Sequence, residues 1–166
     1  MIKKLGLMII KPPISEDLDS VKEVISFSWK ILRGPDVNSP RACLRYHFAI
    51  ENGGEIFKEI YSNLNWEGKK EMLDYFENKP VFPVIFQGVE NVQEDLKRIT
   101  GKTENENDIL TIRGYCRSKY GVPQKEYLNF VHTPKVKDLG LELELIAKYN
   151  SKYKSKIERL REVLNK

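Results

Sequence analysis

The sequence predicts an α+β fold, a ferredoxin-like βαββαβ sandwich with an antiparallel four-stranded sheet and extra C-terminal helices. Three observations lead to it. The 166 residues suit one domain with a core of its own. Stretches of strand and helix periodicity follow one another in the order β-α-β-(αα)-β-α-β-α. The second strand alternates apolar and polar residues, which indicates an antiparallel sheet with one open face.

The first strand and the first helix have the clearest patterns. Residues 2–10 are almost continuously apolar, as in a central strand covered on both faces, and two prolines follow Lys11. From 16 to 33, apolar residues recur at three- and four-residue steps, which predicts an amphipathic helix. Ser15 suits the N-cap of this helix, and Gly34-Pro35 stops it.

The second strand is predicted from the segment ACLRYHFAI, residues 42–50. Its apolar face carries Leu44, Tyr46, Phe48 and Ile50. His47, one of only two histidines in the chain, falls on the opposite, more polar face. We expect a solvated or hydrogen-bonded structural histidine there rather than a functional one.

The remaining elements are shorter. They are predicted as helices over 56–64, 72–76, 92–99, 137–149 and 152–165, and as strands over 80–87 and 126–131. Pro83 suggests that its strand is an edge strand or contains a bulge. Residues 100–115 form a polar loop with no evident packing role, and such loops are often functional. The last strand leads directly to His132.

Composition narrows the classes of function. The net charge of +4 favours anionic partners such as nucleotides or nucleic acid. No apolar run is long enough to span a membrane, and the apolar start of the chain is interpreted as a buried strand rather than a signal segment. Cys43 and Cys116 lack metal-ligand spacing, which indicates free thiols and a reducing, cytoplasmic setting.

One histidine, four cations and one hydroxyl fall at the ends of strands, on the short helix and in the polar loop. They are Lys11, Lys97, Lys102, Thr103, Arg113 and His132. A cationic set with one ring nucleophile and no obvious carboxylate base or metal cage suits a polyphosphate. Phosphoryl transfer requires positioned cations and an in-line nucleophile, which histidine can supply. An unperturbed imidazole, with a pKa of about 6.5, is mostly neutral near pH 7.

Four segments in order, LGLMIIKP, YFENKPVFPVIFQG, LTIRGY and NFVHTP, resemble motifs of the nucleoside diphosphate kinase family. The resemblance runs from about residue 3 to 149 and defines residues 1–150 as a kinase-like domain, with 151–166 as a basic helical tail. It implies transfer of the γ-phosphate of a nucleoside triphosphate to a nucleoside diphosphate through a phosphohistidine. It also implies a homo-oligomer and Mg²⁺ carried by the nucleotide phosphates, with no membrane or nucleic-acid partner.

The same resemblance implies roles for individual residues. His132 accepts the phosphate. Lys11 contacts the sugar hydroxyls and the terminal phosphate, and Asn129 bonds the sugar 3′ hydroxyl. The residues expected to complete the nucleotide site are Tyr61, Lys97, Thr103 and Arg113. An acidic residue on the following helix orients the histidine ring. Glu142 and Glu144 straddle that position, and Glu144 is preferred because LIAKY then fits the next positions of the family pattern.

Two departures from the family pattern support an alternative. Lys97 stands where the family has an arginine and loses the bidentate fork. Thr133-Pro134 follows the histidine where the family has a small residue and a serine, so that a hydroxyl and a backbone N–H are missing. The alternative is a catalytically weak or inactive module of the same fold that binds nucleotide or RNA.

Overall fold

The computed structural model describes residues 4–102, 108–150 and 154. The strands are β1 (Leu5–Ile10), β2 (Ala42–His47), β3 (Phe82–Gly88) and β4 (Val131–His132). The helices are α1 (Leu18–Arg33), α2 (Gly53–Ile60), α3 (Lys69–Phe76), α4 (Val92–Thr100), α5 (Ile112–Tyr120) and α6 (Leu139–Lys148). Short 3₁₀ turns precede α1, β4 and α6. Within these ranges, no helix has the length and hydropathy that a bilayer span requires.

The four strands form one antiparallel sheet in the order β2-β3-β1-β4. The predicted fold class is confirmed. β1 occupies a central position, where it pairs with β3 along its whole length and with β4 through Ile9↔His132 and Ile10↔Val131. This pairing places the end of β1 beside the histidine of β4.

Helices cover both faces of the sheet, as the continuous apolar run of β1 predicts. Every residue of β1 is buried. Leu5, Leu7 and Ile9 face a core shared with α2, α3 and α6, whereas Met8 and Ile10 face a core shared with α1, α4 and α5. Alternate residues of one strand therefore serve two separate cores.

The prediction of a single apolar face on β2 is wrong. The ladder with β3 shifts register between Leu44 and Tyr46, which marks a bulge at Arg45. A bulge inserts one residue and reverses the faces that follow. Leu44 therefore packs toward the α1 side, whereas Tyr46 packs toward the α2 side. His47 is exposed, as the alternation predicted.

Pro83 does not mark an edge strand, because β3 lies between β2 and β1. It does not mark a bulge, because the register with the chain of β2 is the same on both sides of it, at His47↔Val84 and at Ile50↔Val81. The Pro83 carbonyl accepts from Phe48 N–H at 3.4 Å, just past the last β2–β3 ladder pair, His47↔Val84. The N and O of a strand residue point to the same side. The missing N–H of Pro83 therefore lies on the side of β2, where pairing resumes at the bridge between Ile50 and Val81, and pairing with β1 continues past Pro83.

Several boundaries differ from the prediction, and helix α5 was not predicted. Helix α1 begins at Leu18 rather than near Ser15, because residues 14–16 form a 3₁₀ turn and Asp17 is extended. The polar loop ends early, since α5 begins at Ile112 with Thr111 as its N-cap. The last strand contains only Val131 and His132, with a 3₁₀ turn in place of its predicted start. The helix predicted over 152–165 and most of the basic tail lie outside the described residues.

Candidate active site

A cleft of about 740 Å³ opens where β1, β4, α4 and α6 meet. Seven of the residues predicted from the sequence line it: Lys11, Tyr61, Lys97, Arg113, Asn129, His132 and Glu144. Thr103, the eighth, lies outside the described residues. Positions far apart in the sequence thus converge on one surface, because the β1–β4 pairing joins the end of the first strand to the last one.

His132 is held on both ring nitrogens. Its Nε2 lies 2.6 Å from Oε1 of Glu142, and its Nδ1 lies 3.1 Å from the hydroxyl of Tyr61. Phe57 packs edge-on against the ring with centroids 5.6 Å apart. The side chain is 14% exposed, so the ring is fixed from three sides but still reaches the cleft.

The two hydrogen bonds define the tautomer of His132. A carboxylate can only accept, so Nε2 carries the proton that it donates to Glu142. In a neutral imidazole the other nitrogen then has a free lone pair, which accepts from the Tyr61 hydroxyl. Burial raises the pKa of Tyr61 to about 12, so this phenol stays protonated and remains a donor. Nδ1 is thus the nitrogen available for nucleophilic attack.

The preference for Glu144 as the residue that orients His132 is wrong, because Glu142 makes that contact. The buried face of α6 carries Leu139, Leu143 and Ile146. Glu142 lies on this face, three residues after Leu139, and is 7% exposed. Glu144 lies on the exposed face. The apolar periodicity of the helix, visible in the sequence, would have distinguished the two.

Burial is the main influence on the pKa of His132, and it lowers this pKa from the usual 6.5. The positive charges of Lys11 and Lys97 act in the same direction, whereas Glu142 opposes them. The folded protein therefore favours the neutral ring near pH 7, which is the form that can attack phosphorus.

We expect the rate of phosphate transfer to His132 to stay level from about pH 8 to about 6.5 and to fall only below that. The pKa of His132 is lower in the folded chain than in the unfolded one, so acidification protonates the unfolded chain first. The stability that the neutral ring contributes is present above about pH 6.5 and is lost as the pH falls through the folded pKa. Single-turnover rates with ATP across this range test the expectation. An acid limb centred above pH 7 would contradict it.

Lys11 and Asn129 form one unit on the wall of the cleft. Lys11 follows β1, and its backbone N–H donates to the carbonyl of Phe130 at 2.9 Å. Its Nζ donates to the Tyr127 carbonyl at 3.0 Å and to Oδ1 of Asn129. Burial and the charge of Arg113 lower the pKa of Lys11 well below its usual 10.5. A buried cation close to a second one favours an anion that brings compensating charge.

Arg113 lies in the first turn of α5 and donates to three backbone carbonyls. They belong to Gly101 at 2.9 Å, Asn129 at 3.2 Å and Val131 at 2.9 Å. The guanidinium therefore connects the end of α4 to the chain just before His132. Gly114, next in the sequence, is required, because a Cβ there would overlap the Asp108 carbonyl oxygen.

Tyr61 is itself supported from the side away from His132. Trp66 packs edge-on against its ring with centroids 5.0 Å apart, and Lys69 donates to its backbone carbonyl at 2.7 Å. Lys69 was not identified from the sequence as part of the site. Trp66 and Lys69 together fix the position of the Tyr61 hydroxyl that contacts His132.

Lys97 lies on α4, where the sequence placed it, and donates to the Thr133 carbonyl at 3.2 Å. We expect Lys97→Ala to lower kcat/KM by roughly tenfold, because a lysine acts as a point charge near the phosphates. Lys97→Arg should keep or raise activity. Steady-state kinetics at one Mg²⁺ concentration test both, with Arg98→Ala as the control because Arg98 pairs with Asp95 on the same helix. Wild-type kinetics in Lys97→Ala would contradict the expected contact between Lys97 and the phosphates.

No group of three or more His, Cys, Asp or Glu side chains that could hold a metal ion lies within the described ranges. Lys11, Lys97 and Arg113 give the cleft around His132 a cationic lining. Among the described residues, this lining offers cations for an anionic group rather than a set of ligands for a metal ion.

No family model matches the chain, and no curated protein matches it in sequence. Solved structures do match. A nucleoside diphosphate kinase from Aquifex aeolicus has a TM-score of 0.64 at 16% identity, covering 86% of this chain and 94% of that one. One from Encephalitozoon cuniculi has a TM-score of 0.62 at 17% identity, covering 86% and 87%. A halophilic one from Halobacterium salinarum in complex with CDP has a TM-score of 0.59 at 15% identity, covering 86% of each chain. At these identities, the likeness establishes the fold.

Proposed function

We propose that this protein is a nucleoside diphosphate kinase that works through a phosphohistidine at His132. The observation that carries the proposal is the ring of His132, fixed between Glu142 and Tyr61 with Nδ1 directed at a cationic cleft. The structural likeness to nucleoside diphosphate kinases, one of them in complex with CDP, supports the choice of substrate.

In the first half-reaction, Nδ1 of His132 attacks the γ-phosphorus of a nucleoside triphosphate. The Nδ1–P bond forms as the bond from the γ-phosphorus to the bridging oxygen breaks, and the bond electrons leave with the nucleoside diphosphate. The ring gains positive charge. The proton stays on Nε2 and keeps its hydrogen bond to Glu142, whose carboxylate stabilises that charge. Tyr61 releases its hydrogen bond to Nδ1 as the phosphate arrives.

The cations of the cleft bind the phosphate chain and stabilise charge on its oxygens. Lys11 and Arg113 are already placed by the backbone carbonyls they contact, so little reorganisation is needed when the nucleotide binds. Mg²⁺ would enter with the nucleotide as part of the substrate and neutralise charge on the phosphate oxygens. In the second half-reaction, a terminal oxygen of a nucleoside diphosphate attacks the phosphohistidine, and Nδ1 is regenerated.

Steady-state exchange between ATP and a second nucleoside diphosphate tests this proposal. Two half-reactions that share one phosphoenzyme predict parallel double-reciprocal plots, the kinetic pattern of a ping-pong mechanism. Nucleotide binding without exchange would contradict the kinase and identify the chain as a binding module of the same fold. Intersecting plots would contradict the covalent intermediate.

A further inference from the structure

The ladder between β1 and β4 stops at His132 for a reason that the register makes clear. Ile10 faces Val131 and Ile9 faces His132, so that continuing the pairing places Leu7 opposite Pro134. Proline has no N–H and cannot donate to the Leu7 carbonyl. Leu7 is fully buried, and buried backbone groups need partners. A group other than the backbone N–H of residue 134 must therefore donate a hydrogen bond to the Leu7 carbonyl.

The side chain of Gln93 on α4 takes that place. Its Oε1 accepts from Leu7 N–H at 2.6 Å, and its Nε2 donates to the Leu7 carbonyl at 3.2 Å. The same Nε2 donates to the Pro134 carbonyl at 2.8 Å. Both N–H groups of the carboxamide are used, and the side chain is 1% exposed. Gln93 thus connects β1 to the chain two residues beyond His132.

Helix α4 can reach this position because it packs closely on β1. A Cβ on Gly6 would lie 2.8 Å from Cγ1 of Val92, so the glycine is what permits the approach. One turn along the helix from Gln93, Lys97 holds the Thr133 carbonyl. The two residues after His132 are therefore fixed by two side chains on one face of α4.

We infer that Gln93 is a positioning residue for His132, replacing the ladder pair that Pro134 cannot make. The inference rests on the proposed function for its consequence in the reaction. Without this bond, the chain beyond His132 loses one of the two hydrogen bonds to α4 described above, and the ring of His132 can shift against Glu142 and Tyr61. A shift of about 1 Å in a reacting group can cost about a hundredfold in rate.

Gln93→Leu removes the carboxamide and keeps a buried side chain of similar size. We expect the single-turnover rate of His132 phosphorylation at saturating ATP to fall by about thirtyfold. The ATP concentration for half-saturation should stay within about threefold, because Gln93 is not among the residues that line the cleft. Thr100→Val is the matched control: it removes an equally buried hydrogen bond from α4, to the Leu96 carbonyl, and should leave the rate unchanged.

Pro134→Ala in the Gln93→Leu background provides a rescue. The alanine supplies the N–H that the register directs at Leu7, so the double variant should recover at least about fivefold of the lost rate. If Gln93→Leu does not fold, recovery of the fold by Pro134→Ala would support the inference, and failure to recover it would overturn it. If Gln93→Leu lowered the rate only by disturbing the packing of α4, Pro134→Ala would not restore the rate.

Nitrogen NMR of the histidine rings separates this inference from the proposed function. In the wild type, the His132 signals should show protonated Nε2 and unprotonated Nδ1. In Gln93→Leu they should shift or average, while the exposed His47 stays unchanged as an internal control. If the wild type forms no phosphoenzyme, the proposed function fails and these signals still decide the role of Gln93. Unaltered His132 signals in Gln93→Leu would overturn that role.

Discussion

Replacing His132 with alanine should lower phosphate exchange by roughly 10⁴-fold or more, the scale seen when a covalent nucleophile is removed. The physical reason is that Nδ1 is the nitrogen with a free lone pair in the cleft, and none of the surrounding cations can replace it. Steady-state exchange kinetics and the amount of phosphoprotein formed measure the loss directly. The cations remain in place, so nucleotide binding should persist.

His132→Ala leaves Glu142 buried without its hydrogen-bond partner and could lose activity by misfolding. A second variant, His132→Gln, distinguishes misfolding from the loss of the nucleophile. In His132→Gln the amide can still donate to Glu142 but cannot accept a phosphate. Both variants should be inactive, with thermal melting showing that the glutamine variant is folded. His47→Ala should retain wild-type exchange, because His47 is exposed on β2 away from the cleft. Exchange above about a tenth of the wild-type rate in His132→Gln would mean that His132 is not the nucleophile.

Arg113→Ala should have the second-largest effect, on the order of a hundredfold in kcat/KM. It removes a cation from the proposed phosphate site and leaves three backbone carbonyls, two of them close to His132 in sequence, without their donor. The free energy of unfolding should fall by about 2 kcal/mol, since charge-assisted hydrogen bonds to partly buried groups are lost. Steady-state kinetics and denaturant unfolding measure the two effects separately.

Arg117→Ala is the matched control for Arg113→Ala. It makes the same change of charge on the same helix, but Arg117 does not line the cleft. We expect wild-type kinetics and less than about 0.5 kcal/mol of destabilisation in this control. Arg113→Lys should fall between the wild type and Arg113→Ala, because it keeps the charge and loses the guanidinium fork. Equal activity in Arg113→Ala and Arg117→Ala would contradict the proposed role of Arg113.

Strong periodicity in the sequence made much of the fold predictable. The apolar run of β1 and the amphipathic pattern of α1 arise from burial, which determines where apolar residues occur in the sequence. The irregular features of the fold have no corresponding sequence pattern. Phe130 adopts a positive φ of 76° just before β4, a conformation uncommon for a residue with a bulky side chain. The bulge at Arg45 depends on the match between two strands rather than on either one alone.

Some residues of the candidate site were likewise predictable from the sequence, and others were not. His132, Lys11, Arg113 and Asn129 were reached through short motifs, and the structure brings all four to one cleft. Glu142 could have been chosen over Glu144 by the apolar face of α6. Gln93 could not have been found, because its role depends on the register of β1 and β4 and on the missing N–H of Pro134. Contacts that depend on pairing across 86 residues of chain are not visible in local sequence patterns.

The most direct test of the central claim is to incubate the protein with ATP radiolabelled on its γ-phosphate and to map the label by mass spectrometry. We predict an acid-labile, alkali-stable phosphoprotein with the label on His132. Added nucleoside diphosphate should remove the label and yield the labelled triphosphate. A protein that stays unlabelled, carries the label on another residue, or keeps it in the presence of nucleoside diphosphate would contradict the claim.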